Sequence, residues 1–400
     1  MTNTASTRPL WLLVLCASMI VFLAMGARIT FGLFMEPISE SMSWGREIFS
    51  LTIAIQNIAW GLTQPFAGAI GDRYGAGKVL AGGGLLYALG LLAVAGADTP
   101  VLMHLSGGLI IGIAQGLASM NIGMAVVARS TPLHRRTLVM AFVTMGGSAG
   151  QMVVSPLAQN FIEGYGWITA VLIIAAMMML VLPLAFPLSG KPAAGPVGGQ
   201  SFGAALREAA GHRGYLLLVA GFFVCGFHVT FIAGHMPAYI RDLGLDPSLG
   251  ALVLMLIGAF NIIGTLSAGL LGDRFSKKYL LSLLYLARSA AIVFLLAAPV
   301  SEWTVLIFAA MMGVLWLSTV PLTTGLVGQI FGPQYMGTLA GIVFLSHQIG
   351  AFLGVWLGGL LYDLYGNYDI VWWISIALGV AAAVLHFPID ERPLARQATA

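Results

Sequence analysis

The amino-acid sequence predicts an all-α polytopic membrane protein whose twelve transmembrane helices form two pseudo-symmetric six-helix halves. Three observations support this fold class. The chain of 400 residues is 59% apolar and only 8% charged, it contains twelve apolar segments of membrane-spanning length, and two short motifs recur about 200 residues apart. Soluble globular proteins carry about 25% charged residues, so the composition excludes a soluble domain.

The twelve spans follow from segment length, because a transmembrane helix needs about 20 predominantly apolar residues. In the first half, such segments fall near residues 10–36, 47–70, 79–97, 100–127, 137–160 and 167–187. In the second half, they fall near residues 214–240, 249–271, 279–298, 302–328, 336–361 and 369–389. An even number of spans places both chain ends on the same side of the membrane.

The distribution of lysine and arginine predicts which side that is. If both termini are cytoplasmic, 14 of the 18 basic residues lie in cytoplasmic segments, and the outer loops hold only Arg46 and Arg241. Cytoplasmic loops carry an excess of Lys and Arg. We therefore expect a multi-pass protein of a bacterial inner membrane with both termini in the cytoplasm.

A Gly/Pro-rich stretch, "SGKPAAGPVGGQSFGAALREAAGHRG", separates the two halves. It predicts an N-terminal bundle at 1–187, a cytoplasmic linker at 188–213 and a C-terminal bundle at 214–400. The motif "GDRYG" at Gly71 returns as "GDRFS" at Gly272, and "EGYG" at Glu163 returns as "DLYG" at Asp363. Repeats at matching positions of two six-helix halves are typical of transporters built from parallel repeats.

The loop "GAIGDRYGAGK" and its second copy "AGLLGDRFSKK" resemble the signature loop of the major facilitator superfamily, twice and in register. The resemblance covers the whole chain. It implies two six-helix bundles around a central cavity lined mainly by helices 1, 4, 7 and 10, and transport by alternating access. On this basis we expect a transporter and no enzyme.

Charged pairs in these loops are candidates for gating. Asp72 and Arg73 stand at a cytoplasmic helix end, and Asp273 and Arg274 stand at the matching end in the second half. Such charges can pair across the contact between the halves and favour its closed form. The alternative is topology alone, because basic loops stay inside regardless of gating; an acid, however, adds little to topology.

Two further stretches, "FGLFMEPISESMSWGREIFS" and "GAFNIIGTLSAGLLGDRFSKK", resemble the monocarboxylate porter family and its oxalate/formate relatives. The resemblance implies a cation in helix 1, which is Arg28 here. The family usually carries a carboxylate-binding arginine in helix 8, four residues after an asparagine. Asn261 is present, but Thr265 stands at the place of the arginine. Gly112 stands where drug antiporters of the superfamily carry an arginine in helix 4. The missing arginine weakens the hypothesis of a drug-efflux pump, which stays the alternative.

Two arginines, Arg28 and Arg288, lie inside predicted spans, whereas all 15 acidic residues are expected in loops or at helix ends. Arginine keeps its proton in proteins, and a charge at the bilayer centre costs about 2.5–3.5 kcal/mol on insertion scales. We therefore expect a bound anion as the counter-ion of Arg28. Hydration or capping by carbonyls is the alternative for Arg28. Arg288 is also a candidate substrate ligand, which could replace the missing helix 8 arginine, but packing or hydrogen bonding in the peripheral helix 9 is favoured for it.

Other polar residues inside the spans are candidates for substrate binding or proton coupling. A neutral imidazole can take up a proton near physiological pH, so His228 and His347 are candidate proton carriers, with His228 also a candidate ligand. A packing histidine is the alternative. Interhelical hydrogen bonding is the alternative for the remaining candidate ligands, which are Gln115, Asn121, Asn261, Trp316 and Thr319.

The sequence thus predicts a secondary transporter of a small organic anion, in first place a monocarboxylate, with proton symport left open. An efflux pump for amphiphilic compounds is the alternative. We expect no cofactor, metal site or nucleic-acid partner, because the sequence has no metal-ligand cluster and no nucleotide-binding loop. The expected partners are the anion, protons and the lipid bilayer, and the chain is expected to act as a monomer. The exact substrate, the direction of flux and the mode of coupling stay open.

Overall fold

The computed structural model describes residues 9–131, 136–189, 202–332 and 336–394, and these residues contain helices but no strand. The helices of the first half are α1 Leu10–Ile29, α2 Phe31–Met42, α3 Arg46–Tyr74, α4 Ala76–Ala95, α5 Pro100–Met103, a π-helix His104–Ile110, α6 Ile111–Leu117, α7 Met120–Arg129, α8 Arg136–Met179, α9 Val181–Ala185 and a 3-10 turn Phe186–Leu188. Those of the second half are α10 Phe202–Gly211, α11 Arg213–Asp242, α12 Ser248–Arg274, α13 Lys277–Ala297, α14 Glu302–Leu315, α15 Thr319–Phe331, α16 Met336–Tyr365 and α17 Asp369–His386.

Helices occupy all twelve predicted spans. Ten stretches of the described residues are long and apolar enough to cross a membrane. One of them, Phe142–Leu188, has 47 residues and is interrupted at Gly166 (φ 79°, ψ 163°), so it supplies two spans. Helix α3, with 29 residues, supplies the twelfth. The predicted all-α fold with twelve transmembrane helices is therefore confirmed.

Two spans that the sequence predicts as continuous are broken in the middle. Span 4 is interrupted at residues 118–119 and span 10 at residues 316–318, about 200 residues apart along the chain. Pro321 explains the second break, because proline donates no N–H and its ring clashes with the carbonyl four residues earlier. At the first break, the Ser119 hydroxyl accepts a hydrogen bond from the Ile122 amide at 3.4 Å, which is an N-cap for α7.

The first span is longer than predicted, and this corrects two expectations. After a one-residue interruption at Thr30, α2 continues to Met42, so Glu36, expected at the end of the first span, lies within a helix. Arg46, expected in an outer loop, is the first residue of α3. The Asp363 carboxylate caps that helix by accepting hydrogen bonds from the backbone amides of Arg46 and Glu47 at 3.0 and 2.8 Å.

Contacts between Cα atoms divide the chain into two compact units. The first contains the described part of Met1–Ala194 with Phe231–Ala259 and Val355–Tyr368; the second contains the described part of Gly195–Thr230 with Phe260–Gly354 and Asp369–Ala400. The predicted bundles at 1–187 and 214–400 stay a prediction, and residues 190–201 of the predicted linker lie outside the described part of the chain.

Glycines allow close helix packing within each unit. A Cβ atom on Gly150 of α8 would collide with the carbonyl oxygen of Phe22 in α1, and one on Gly350 of α16 would collide with the carbonyl oxygen of Phe223 in α11. Small residues are the usual means by which membrane helices bring their backbones together. These contacts fix the helix faces that carry the polar side chains described next.

Candidate functional site

Arg28 lies in α1 and faces a polar group of residues in the first unit. Its Nη2 atom donates a hydrogen bond of 2.9 Å to Oδ1 of Asn57 in α3, and its guanidinium lies 4.9 Å from the ring centroid of Trp60. The Asn57 amide is oriented by its own donation to the Ile53 carbonyl at 2.8 Å. Among the described residues no carboxylate pairs with Arg28, and its Nε has no partner.

Two fully buried residues, Tyr87 and Gln115, complete this group. Tyr87 on α4 is 0% exposed and Gln115 on α6 is 1% exposed. The Tyr87 phenol faces both the Arg28 guanidinium and the Gln115 amide. Neither the Tyr87 hydroxyl nor the two polar atoms of the Gln115 side chain makes a well-formed hydrogen bond within the described part of the chain. We name Arg28, Asn57, Trp60, Tyr87 and Gln115 the Arg28 pocket.

Buried polar atoms without a partner are costly, by about 1–3 kcal/mol each, and are rare in native structures. The Arg28 pocket holds several, and they include donors (Arg28 Nε, Gln115 Nε2), an acceptor (Gln115 Oε1) and a hydroxyl that can be either. This combination matches an anionic ligand that also has hydrogen-bonding capacity. It does not match an apolar ligand.

Arg288, by contrast, donates hydrogen bonds to the backbone at the break in span 10. It is 0% exposed, and its Nε and Nη2 atoms donate to the Leu315 carbonyl at 3.1 and 2.6 Å. Nη2 also donates to the Trp316 carbonyl. The break at residues 316–318 leaves these carbonyls without their usual helical partners, and Arg288 satisfies them. The hydrogen-bonding role favoured for Arg288 from the sequence fits these contacts better than a ligand role.

Asn261 has a similar function on the other side of the break. Its Oδ1 accepts a hydrogen bond from the Leu317 amide at 3.0 Å and another from the Thr265 hydroxyl at 3.1 Å. Thr265, which stands where the related family carries arginine, therefore supports Asn261. Trp316 and Thr319 are 2% and 0% exposed, and the Thr319 hydroxyl lies 3.2 Å from the Cys225 sulfur.

The two candidate proton carriers both lie in the second unit and are buried. Nε2 of His228 donates to the Ser375 carbonyl at 2.8 Å, while its Nδ1 has no partner among the described residues. Nδ1 of His347 lies 3.0 Å from Oε1 of Gln348, and its ring stacks on Phe344 at 5.6 Å. The structure thus brings His347, Thr319, Trp316, Arg288 and Asn261 into one unit, around the break in span 10.

His228 occupies the same position in α11, the seventh span, as Arg28 does in α1, the first span. The sequence "GARITF" at 26–31 returns as "GFHVTF" at 226–231, with the glycine, threonine and phenylalanine matched. The two candidate residues are therefore counterparts of the internal repeat, one permanently charged and the other titratable.

The remaining predicted residues stand apart from these groups. Asn121 is exposed and makes no contact with the Arg28 pocket that the structure records. Arg73, Asp273 and Arg274 are exposed and form no ion pair among the described residues. The side chain of Asp72 lies outside the described part of the chain. In that part no group of three or more His, Cys, Asp or Glu side chains could hold a metal ion.

A charged cluster that the sequence did not indicate lies at the α3 N-terminus of the first unit. Arg46, only 8% exposed, donates bidentately to the Asp242 carboxylate at 2.6 and 2.8 Å and pairs with Glu36. It also donates to the Tyr368 hydroxyl at 2.9 Å, and Tyr368 contacts Nδ1 of His235 at 3.0 Å. We name these five residues the Arg46 network.

Neighbouring groups reinforce the Arg46 network. The Arg46 guanidinium lies 3.7 Å from the centroid of the Tyr362 ring, a cation–π geometry. Arg241 pairs with Glu36 at 3.2 Å and with Glu40 at 2.6 Å. Burial raises the pKa of the Tyr368 phenol, so this hydroxyl stays protonated. Its hydrogen bond between Arg46 and Tyr368 joins residues that are 322 positions apart in the chain.

Comparison with known families decides the class of this protein. A family model described as "Major Facilitator Superfamily" matches residues 17–355 and 263–400. The chain belongs to the major facilitator superfamily. It is a multi-pass membrane transporter of a small-molecule substrate, and it is not an enzyme.

Relatives of this transporter match over nearly its whole length. It is 25% identical over 410 residues to "Uncharacterized MFS-type transporter YcxA" of Bacillus subtilis (strain 168), with 98% of each chain covered. It is 27% identical over 409 residues to "Monocarboxylate transporter 13" of Bos taurus, with 96% of this chain and 92% of the relative covered.

Solved structures show the same fold. The crystal structure of a D-xylose–proton symporter matches with a TM-score of 0.76 at 17% identity, covering 96% of this chain and 99% of that one. A bacterial homologue of the human lysosomal transporter Spinster, inward-facing and unoccupied, matches with a TM-score of 0.78 at 14% identity, covering 95% and 97%. At identities this low, the matches show a shared fold and give no information about the substrate.

Proposed function

We propose that this major facilitator transporter moves a small organic anion, in first place a monocarboxylate, and that Arg28 binds its anionic group. The proposal rests on the surroundings of Arg28. Its guanidinium lies inside a membrane span, contacts a neutral amide and an aromatic ring, and has no carboxylate partner in the described part of the chain. A permanent charge in that setting needs a counter-ion, and a transported anion supplies one.

The chemistry of the Arg28 pocket supports a carboxylate. A guanidinium has five N–H donors in a planar fork, and a carboxylate can accept two of them in parallel. Asn57 uses Nη2 at 2.9 Å, and Nε has no partner. Tyr87 and Gln115 add neutral donors and an acceptor beside the charge. A sugar would need more such groups, because each of its hydroxyls must be satisfied.

The names of relatives point the same way. "Monocarboxylate transporter 13" of Bos taurus matches 96% of this chain, and "Monocarboxylate transporter 11" of Homo sapiens matches 88% of it at 25% identity. We extend this substrate class to the present chain as part of the proposal. We further propose a bacterial inner membrane location with cytoplasmic termini and a monomeric carrier.

Coupling to protons is the second part of the proposal. His347 and His228 are the proposed carriers, because both are buried imidazoles on membrane helices and Nδ1 of His228 has no partner among the described residues. Among the other candidate ligands, Gln115 belongs to the Arg28 pocket. The contacts of Arg288 and Asn261 with the span 10 backbone favour a structural role for both residues.

The direct test measures binding and transport by purified protein. A panel of C2–C6 carboxylates should raise the thermal unfolding temperature of the parent, and radiolabelled members of that panel should accumulate in proteoliposomes. Arg28→Lys should weaken both effects, because an ammonium cannot reproduce the bidentate geometry, and Arg28→Gln should nearly abolish them. Arg213→Gln, at an exposed arginine at the start of α11, is the matched control and should behave like the parent.

The outcome also decides between the proposal and the efflux alternative. If no carboxylate stabilises the parent while amphiphilic compounds do, the efflux reading replaces the anion proposal. If carboxylates stabilise the parent and Arg28→Gln equally, the anion is bound elsewhere and Arg28 is structural.

A further inference from the structure

The Arg46 network contains a histidine whose hydrogen-bond partners favour its neutral form. Nε2 of His235 lies 2.8 Å from the Val355 carbonyl, and a carbonyl can only accept, so Nε2 carries a hydrogen. Tyr368 receives a hydrogen bond from Arg46 at its oxygen and is 3.0 Å from Nδ1 of His235. Its own hydrogen is available for donation to Nδ1, and we assign Nδ1 on this basis as the acceptor nitrogen of a neutral imidazole.

We propose that His235 is a proton-binding site and that proton uptake at its Nδ1 releases the Arg46 network. The network holds together the middle of α2, the N-terminus of α3, the C-terminus of α11 and the turn before α17. With the predicted orientation, these segments lie on the outer side of the membrane. Release of the network would then open the transporter to the outside. The inference rests on the transport function of the chain and not on the identity of the substrate.

The hydrogen-bond directions explain why a proton and the closed network exclude each other. Once protonated, Nδ1 becomes a donor and points its hydrogen at the Tyr368 oxygen, which already accepts from Arg46. Two cationic donors then share one phenol oxygen, and the phenol hydrogen loses its acceptor. In this buried site, where Tyr368 and His235 are 2% and 1% exposed, both effects are costly.

The groups around His235 do not offer a compensating anion. From α3 it faces Arg46, a cation, and the Ser50 hydroxyl, which lies 3.4 Å from Nε2. From α16 it faces the Val355 carbonyl, and from the turn that follows it faces the Tyr368 phenol. Of the carboxylates near the network, those of Asp242 and Glu36 are bound to Arg46, and Glu36 also pairs with Arg241. The Asp363 carboxylate accepts hydrogen bonds from the backbone amides of Arg46 and Glu47.

Thermodynamic linkage between proton binding and opening predicts how much the open-to-closed ratio changes with pH. If His235 binds a proton only in the open state, the open-to-closed ratio rises as the pH falls through the ordinary histidine value of about 6.5. One proton per opening gives about a tenfold increase in that ratio between pH 7.5 and pH 5.5. A fall in external pH thus shifts the network toward its open form, and the proton leaves His235 before the network closes again. His235 therefore acts as a gate and is distinct from the proposed proton carriers His347 and His228.

Accessibility of a buried reporter cysteine can measure this opening without any substrate. Ile53 lies on α3 two turns after Arg46 and is 5% exposed, so Ile53→Cys reports access past the network. The rate of its labelling by an impermeant maleimide in right-side-out vesicles is divided by the rate at Pro247→Cys, an exposed position in the loop after α11. This ratio removes the intrinsic pH dependence of thiol chemistry. In the parent background it should rise about tenfold from pH 7.5 to pH 5.5.

Three substitutions separate the roles of His235, Tyr368 and Arg46 in the pH response. His235→Gln should keep the donor to Val355 but cannot gain a charge, so the ratio should be low and independent of pH. Tyr368→Phe should also reduce the pH response, because it cuts the link between His235 and Arg46, and it serves as a second probe if His235→Gln folds poorly. Arg46→Gln should give a high ratio at both pH values. His212→Gln, a histidine at the α10–α11 junction, is the control and should keep the parental response.

Clear results would overturn the inference. A parent ratio that does not change with pH removes the proton switch. A tenfold response that persists in His235→Gln assigns the proton to Glu36 or Asp242 instead. An Arg46→Gln protein as inaccessible as the parent shows that the network does not hold the closed state. None of these results depends on whether the substrate is a carboxylate.

Discussion

The Arg288 guanidinium donates two hydrogen bonds to the carbonyl oxygen of Leu315, at 3.1 and 2.6 Å. That carbonyl ends α14, immediately before the break that Pro321 imposes on span 10. The Arg288 guanidinium in α13 therefore satisfies backbone oxygens that a broken membrane helix would otherwise leave exposed to an apolar interior. Arg28 and Arg288, two arginines inside membrane spans, thus have different environments and should respond differently to substitution.

Substitution of Arg288 should affect stability before it affects binding. Arg288→Met keeps the length of the side chain but leaves the Leu315 and Trp316 carbonyls without donors, at about 1–3 kcal/mol for each unsatisfied group. We expect a lower thermal unfolding temperature in detergent and unchanged carboxylate affinity in the protein that remains folded. A variant that unfolds like the parent but no longer binds carboxylates would identify Arg288 as a ligand.

The removal of one hydroxyl tests the Arg28 pocket. Tyr87→Phe deletes a buried hydroxyl that has no well-formed partner among the described residues, so the empty protein should be as stable as the parent or slightly more stable. If the hydroxyl bonds to the bound anion, affinity should fall about tenfold, the value of roughly one hydrogen bond. Calorimetric titration with the carboxylate that binds the parent most tightly measures this change in affinity.

Tyr285→Phe is the matched control for this experiment, since Tyr285 is also 0% exposed and its hydroxyl also has no partner within the described part of the chain. It belongs to the second unit. Equal losses of affinity in the two variants would mean that Tyr87 acts through general packing.

The proposed coupling histidines can be separated by the kind of transport that survives. His347→Gln or His228→Gln, whichever removes the carrier, should abolish accumulation driven by a pH gradient but retain exchange of labelled for unlabelled substrate. The reason is that exchange requires the loaded carrier to move, whereas accumulation also requires proton release. Proteoliposome uptake and counterflow measure the two. If both single variants keep full gradient-driven uptake, neither histidine carries the proton.

Charge removal in the repeated loops tests the gating prediction. Asp273→Asn, and its counterpart Asp72→Asn, should shift the conformational equilibrium and slow transport while the expressed protein stays folded. The shift should appear as altered labelling of cysteines introduced on the cytoplasmic side. Labelling and rate like those of the parent would reduce these loops to determinants of topology.

The sequence predicted the spans better than their interruptions. Apolar length located all twelve helices, and Pro321 carried a visible signal for the break in span 10. The break at residues 118–119 had no such signal, because neither Ala118 nor Ser119 forbids a helix. Whether that helix continues depends on packing against α3 and α4, which a local pattern does not contain.

The candidate site was predicted in part. Arg28 was recognisable because a charge in an apolar run is rare. Tyr87 was not, since a phenol in a membrane helix looks like any packing aromatic until its hydroxyl is found buried beside Arg28 and Gln115 with no well-formed partner among the described residues. Arg46 was assigned to a loop because its partner Asp242 is 196 positions away, and burial of an arginine becomes favourable only when such a partner is in place.

Gly166 has a consequence for how this protein is made. It divides Phe142–Leu188, an apolar stretch of 47 residues, into two spans, and its φ of 79° with ψ of 163° is a conformation open essentially to glycine alone. The two spans are separated only by a short turn that contains Glu163 and Gly166. The nascent chain therefore has to reverse its direction across the bilayer at this turn. A bulkier residue there would endanger the topology of every span that leaves the ribosome afterwards.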